Sequence, residues 1–392
     1  MFNATIMKLK MHKKFAFSLI LLLLSPNVMS FALKANQQVP STYSQVQRLI
    51  AKIPRKEVVA TLQAFLLNSH PGRRVGSKGH QKAQEYLLQT IKSIDSEAKG
   101  ILTVDSFTPD LDYAKKVYQA DFDDQIKGKL RPQDANYQHW LKFTQSTLLY
   151  LDSIKMIQGK NIIWEKKGKI DPGSVLIFGA HYDSLVHDPK TRMVRPDLKS
   201  LGADDNGTGV AMGLNLIKIF SEMDLPKTVQ VVFFDFGQTL SLGSKAYIAK
   251  YKDELKKAKS LAYIDMLMLG HDSKDKDSEK RFGNFKAYLG DGSGTRQTNE
   301  GKFAKRFLQA GEKTSQGLSF EIMPNAFNSS NHIYFWQQDI PAMVLSQNWE
   351  TDLNPRYHTP DDFAETLNTQ TYYKAFQFIA GAAVSLSYDI VR

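Results

Sequence analysis

Apolar residues recur at helical spacing over residues 40–68. Val46, Leu49, Ile50 and Ile53 are followed there by Val58, Val59, Leu62, Phe65 and Leu66, so the stretch is predicted to be helical. A second amphipathic helix is predicted over 77–94, after a Gly-Arg-Arg-Val-Gly turn, with Ser77 as its N-cap. From residue 160 the pattern changes. Short β-rich runs occur at 161–164, 175–178, 229–234, 261–264 and 342–345, and helical patterns at 207–222, 243–257, 300–316 and 370–388. This alternation predicts an α/β fold, with a central mixed, mostly parallel β-sheet flanked by helices on both faces. Ligands of such sheets bind beyond the carboxyl ends of the strands. Residues 108–160 keep neither period. Their Asp/Lys-rich turns and aromatic segment (Tyr137, Trp140, Phe143) read as an insertion or lid within a single domain spanning 33–392.

The N-terminus has a different pattern. Lys8, Lys10, Lys13 and Lys14 precede an apolar run from Phe15 to Leu24, and Ser30-Phe31-Ala32 offers small residues for cleavage. Residues 1–32 therefore read as a signal peptide, which implies export to the periplasm or the extracellular space. The alternative is an uncleaved anchor, but the run falls short of the roughly 20 residues of an ordinary membrane span. No stable span is expected once the signal is removed. The segment also accounts for part of the net charge of +11. Removing its four lysines from the 51 basic residues leaves 47 against 40 acidic ones, dispersed without a nucleic-acid motif. A nucleic-acid partner is not expected. The absence of cysteine excludes disulfides, thiolate metal sites and a cysteine nucleophile. Any metal must then rest on His, Asp, Glu or an amide.

Five segments place His or Asp just after an apolar run. His181 follows Val175–Ala180, and Asp183 stands two residues on, where it could orient the imidazole. A lone His-x-Asp also suits a plain surface loop. Asp204 and Asp205 lie side by side before a helix. They repel one another unless a cation neutralises them, although helix capping by one of them is the simpler alternative. Asp235, Gly237 and Gln238 follow the strand 229–234. Asp265 ends the run 261–264, and His358 sits in a Pro-punctuated loop. Together these segments supply His181, Asp205, Asp265 and His358, a sulfur-free set suited to a catalytic zinc site.

In order and spacing the five segments resemble the zinc aminopeptidases of metallopeptidase family twenty-eight, relatives of the glutaminyl cyclases. The resemblance extends from about residue 55 to the C-terminus, apart from 108–160. Gly72-Arg-Arg-Val-Gly-Ser-Lys-Gly79, with Ala83 and Tyr86-Leu87, resembles the N-terminal helix region of that family. The resemblance implies a hydrolase acting on peptides or protein N-termini through a metal-activated water. It implies one zinc on His181, Asp205 and Asp265, and a second on Asp205, the residue at 238 and His358. Asp183 would then support His181, and the Asp205–Asn206 peptide would be cis.

Two departures qualify this expectation. The family carries two adjacent glutamates after the third strand, a general base and a metal ligand, where this chain has Gly237 and Gln238. Gly cannot move a proton, and Gln is a weaker zinc ligand than Glu. Loss of a positioned base typically lowers the rate by about 10²–10⁴-fold. Asn331 also precedes His332 where relatives commonly have Asp. The expectation is a secreted metallopeptidase-like protein with zinc, one ion rather than two, and weak or absent turnover. The alternatives are a peptide-binding pseudoenzyme on the same scaffold and, less favoured, glutaminyl-cyclase-like acyl transfer. Compensation by Asp235 requires its side chain to leave the core.

Overall fold

The computed structural model describes residues 39–390, apart from 200, 274–283, 291–293, 316, 325, 326 and 328. The signal peptide expected over 1–32 lies outside the described residues. Pro54 divides the helix expected over 40–68 into α1 (Tyr43–Ile50) and α2 (Arg55–Asn68), and itself serves as the N-cap of α2. Proline has no N–H and crowds the preceding turn, so it suits a helix start and not an interior. Helix α3 (Lys78–Ile94) begins as expected, with the Ser77 hydroxyl accepting from the His80 N–H at 3.1 Å.

Eight strands form one sheet. They are β1 (Ile101–Phe107), β2 (Gly159–Lys166), β3 (Asp171–His181), β4 (Lys227–Phe234), β5 (Ser260–Met266), β6 (Phe285–Leu289), β7 (Phe320–Pro324) and β8 (Ala342–Ser346). Their order is β1-β2-β4-β3-β5-β8-β6-β7. The central β4, β3, β5 and β8 run parallel, whereas the β1–β2, β2–β4 and β8–β6 pairs are antiparallel. Alternate residues feed opposite faces, as the two-residue strand period requires. Val231 and Phe233 join a core with α2, α3, α6 (Gly209–Ser221), α8 (Gly294–Thr314) and α10 (Thr369–Ser387). Val232 and Phe234 join a second core with α7 (Leu242–Leu255) and α9 (His332–Trp336). The predicted α/β architecture is present, with helices on both faces.

Residues 108–160 contain α4 (Leu111–Gln125) and α5 (Ala135–Ser153). The chain leaves β1 at Phe107 and enters β2 at Gly159, which are partners in the β1–β2 ladder. The helical pair packs over the strand ends through Leu111, Ala114, Tyr150 and Leu151, against Val75, Leu185 and Leu242.

Candidate functional site

Parallel pairing brings the carboxyl ends of β3, β4 and β5 to one edge, with His181 opposite Phe234 and Gly179 opposite Asp265. His181 is the last residue of β3. Its Nδ1 lies 3.2 Å from the backbone oxygen of Asp183 and 3.5 Å from that residue's carboxylate. The carboxylate itself accepts the N–H of Gly237 at 2.7 Å and of Gln238 at 3.0 Å. Asp183 thus orients His181 chiefly through its main chain, and its side chain fastens the turn after β4.

With Nδ1 engaged, His181 Nε2 faces Asp205 Oδ1 at 3.3 Å. The other oxygen of Asp205 accepts from Gln238 Nε2 at 2.7 Å and lies 3.0 Å from His358 Nε2. His358 Nε2 donates to Gln238 Oε1 at 2.7 Å. His181, Asp205, Gln238 and His358 are therefore in direct contact. The Asp205–Asn206 peptide is cis, as the resemblance implies. Left-handed backbone at Phe236, Leu240, Ser241 and His358 clusters around these side chains, a placement typical of functional loops.

The charges follow from the contacts. Burial disfavours a charged His181, but its bonds to Asp183 and Asp205 prevail and push it up to about 10. Burial likewise opposes an ionised Asp205, yet His181 and His358 hold it well below the usual carboxylate range. His187 touches His358 edge-on, with the two Nδ1 atoms 3.1 Å apart. Burial, reinforced by His358, lowers His187 to about 3 and keeps it neutral. Burial raises Asp204 and Asp362 above the ordinary carboxylate value.

Asp265 stands apart from this cluster. It is fully buried within β5. One oxygen accepts from the Tyr263 hydroxyl and from Asn331 Nδ2, each at 3.1 Å, and the other accepts from the His332 N–H at 3.3 Å. Asp235 is also fully buried. It is bound to His80 Nε2 at 2.7 Å and to the backbone N–H groups of Lys160 and Phe236, so it has no free face toward the site.

Three residues that the sequence did not single out organise the site. The buried Arg73 guanidinium donates to the carbonyl oxygens of Tyr182 (2.6 Å), Leu201, Gly202 (2.9 Å) and Asp205 (3.4 Å), tying the β3 exit to the 201–205 segment. Burial lowers it to about 10. Asp362 accepts the N–H groups of Asp204 and Asp205 at 2.9 and 3.0 Å. The main-chain N–H of His187 donates to the His358 oxygen at 2.8 Å and joins two loops. The only sequence signal was that Arg73 falls inside the Gly72–Gly79 stretch and that Asp362 follows His358 in the same loop.

A cavity of about 1120 Å³ opens over the cluster. His181, Asp205, Gly237, Gln238 and His358 line it on one side, and α4 and α5 supply aromatic walls such as Tyr118, Phe143 and Tyr150. The donor set can be tested against the zinc pair that the resemblance implies. A zinc ion needs ligand lone pairs converging on one point, usually three from the protein in a catalytic site. Among the described residues, no three His, Asp or Glu side chains form such a group. Gln238 turns an N–H donor, not a lone pair, toward Asp205. Both oxygens of Asp265 are already engaged. A Cβ added at Gly237 would lie 2.1 Å from His181 Cβ and 2.4 Å from its Cγ, so no glutamate fits there without displacing that histidine. The residues present do not fit the two-zinc centre.

Residues 161–383 match Peptidase family M28. The chain is 29% identical over 245 residues to the uncharacterized protein YfbL of Escherichia coli (strain K12), covering 59% of this chain and 71% of that one. It is 22% identical over 227 residues to the aminopeptidase YwaD of Bacillus subtilis (strain 168), covering 57% of this chain and 44% of the relative. Among solved structures, an aminopeptidase from Aneurinibacillus sp. strain AM-1 superposes with a TM-score of 0.59 at 16% identity, covering 87% of this chain and 95% of that one. A Bacteroides thetaiotaomicron glutaminyl cyclase gives 0.55 at 14% identity, covering 84% and 97%. These two likenesses concern the fold alone. Aminopeptidases of family M28 are metal-dependent, typically with zinc. Taken with the strand-end site and the sheet order, the match over more than half of its length makes this chain a member of peptidase family M28.

Proposed function

We propose that this protein is an exported, aminopeptidase-like member of family M28 that holds peptide or protein N-termini in its cavity and cleaves them slowly or not at all. Residues 1–32 act as the address, and 33–392 form one peptidase-like domain in which 108–160 covers the cavity. One observation carries the loss of turnover: the position of the proton-moving glutamate is Gly237, packed beneath the His181 side chain with no room for a larger residue. Asp235 does not replace it, because its oxygens are held by His80 and backbone N–H groups in the core. What remains is a roomy cavity with aromatic walls above a polar floor, the composition of a site that binds.

The test pairs turnover with binding. The purified chain is assayed on a panel of aminoacyl chromogenic substrates, and its binding of fluorescent peptides with free or acetylated N-termini is followed by anisotropy. Saturable binding that prefers a free N-terminus, with no turnover above background, is expected. Robust hydrolysis would overturn the loss of catalysis. Absence of any peptide binding would overturn the ligand class.

A further inference from the structure

The disagreement between the donor set and a zinc pair follows a pattern. Each retained carboxylate is met by a side-chain amide from a position where the resemblance places an acid. Gln238 Nε2 donates to Asp205 Oδ2 at 2.7 Å, and Asn331 Nδ2 donates to Asp265 Oδ1 at 3.1 Å. Together with Gly237, three acids expected from the resemblance are neutral here. A buried carboxylate must be balanced by a cation or by hydrogen-bond donors. At this site the protein supplies the donors.

We propose that the centre of this protein is built to stand without a metal, with the Gln238 amide linking His358 and Asp205 in the place an ion would occupy. This rests on the slow-or-absent turnover argued above and gives it a physical form. Only one orientation of the amide serves. Oε1 accepts from His358 Nε2 at 2.7 Å while Nε2 donates to Asp205. The reverse would set an oxygen against a carboxylate at the same distance. His181 meets Asp205 on the other oxygen, giving the unit His358–Gln238–Asp205–His181. The unit is held from outside by the Asp183 carboxylate, which binds the main-chain N–H of both Gly237 and Gln238. Asp265 is independently satisfied by Tyr263, Asn331 and the His332 N–H. Each oxygen of the two carboxylates thus meets at least one protein donor.

The experiment measures metal content and thermal unfolding of the full chain, with and without EDTA or added zinc, beside Q238E. The expected result for the unchanged protein is no stoichiometric zinc and a Tm indifferent to both EDTA and zinc. In Q238E a second carboxylate meets Asp205. Its Tm should fall in EDTA and recover with zinc, as mass action requires of a ligand bound only by the folded state. Stoichiometric zinc in the unchanged chain, or a Tm lowered by EDTA, would overturn the proposal. So would a Q238E variant with the Tm of the unchanged chain and no response to zinc. Should Q238E fail to fold, the unchanged chain alone decides the question. Bound zinc without peptide turnover would remove this proposal and leave the binding function standing. Metal-independent turnover would overturn the loss of catalysis and leave the metal-free centre standing.

Discussion

Two buried histidine–aspartate pairs sit near the end of β4 and behave differently. His80 and Asp235 approach to 2.7 Å with side chains 2% and 0% exposed. Asp235 also accepts the N–H groups of Lys160 and Phe236 and, at 3.4 Å, the Gln84 amide, and the Tyr182 ring stacks on His80, so the pair is closed by protein. His181 and Asp205 are looser, at 3.3 Å, and both line the cavity. The partners of Asp205 are other side chains, from Gln238 and His358, and not main chain alone. The first pair fastens α3 to the sheet. The second presents its outer face to whatever enters. The same two residue types serve as a bolt in one place and as a floor in the other, and the donors around the carboxylate decide which.

The contrast can be broken in four ways. Asp235→Ala should carry the largest cost, about 3–5 kcal/mol, because it strands a buried histidine and two backbone donors; urea unfolding measures it. Asp205→Ala should cost less, about 1–3 kcal/mol, because His181 and His358 can turn to water in the cavity. If the same unfolding experiment reversed this order, the contrast would be wrong. Gly237→Ala comes next. Its methyl group would overlap His181, so destabilisation of about 1 kcal/mol or somewhat more is expected from overpacking. The His181 ring resonances should shift in NMR spectra while those of His80 stay in place.

The smallest effect is pH dependence in the closed pair. Burial opposes a charged His80, but the charge of Asp235 and the hydrogen bond to it prevail and raise its pKa. A raised folded value means that the stabilisation is complete below the ordinary histidine value of about 6.5 and is lost as pH rises through the folded value. The Tm gap between the unchanged protein and His80→Gln should therefore be wider in mildly acidic buffer than in alkaline buffer. A gap that widens toward alkaline pH would contradict the charged pair.

The sequence reading succeeded where the chain's own period carried the information. Apolar runs mark where β3 and β4 emerge from the core, and the polar residues just past them, His181 and Gln238, line one cavity with Asp205 and His358. Asp265 differs from these. It lies inside β5, and its side chain is consumed by Tyr263 and Asn331, contacts that no local pattern announces. Strand β1 went unread because it is an edge strand whose Val104 and Ile101 face outward, so the buried face that creates the alternation is missing. Helices α4 and α5 were unread for a related reason. Aromatic residues such as Tyr118 and Phe143 line the cavity, outside the buried stripe of Leu111, Ala114, Tyr150 and Leu151, and the helical period is blurred. Arg73 was invisible as an organiser because its carbonyl partners lie more than 100 residues away in the chain.

The attachment of α4 and α5 has an engineering consequence. Phe107 and Gly159 face each other across an antiparallel ladder, so a short hairpin turn could join the two strands directly. Loop-closure entropy changes slowly with loop length, and a long excursion at this point burdens the sheet little. The helical pair is thus exchangeable, provided that its replacement again covers Val75, Leu185 and Leu242. A graft between Phe107 and Gly159 would rewrite one wall of the cavity while leaving His181, Asp205, Gln238 and His358 on their original supports. Ligand choice can in this way diverge while the sheet keeps its register.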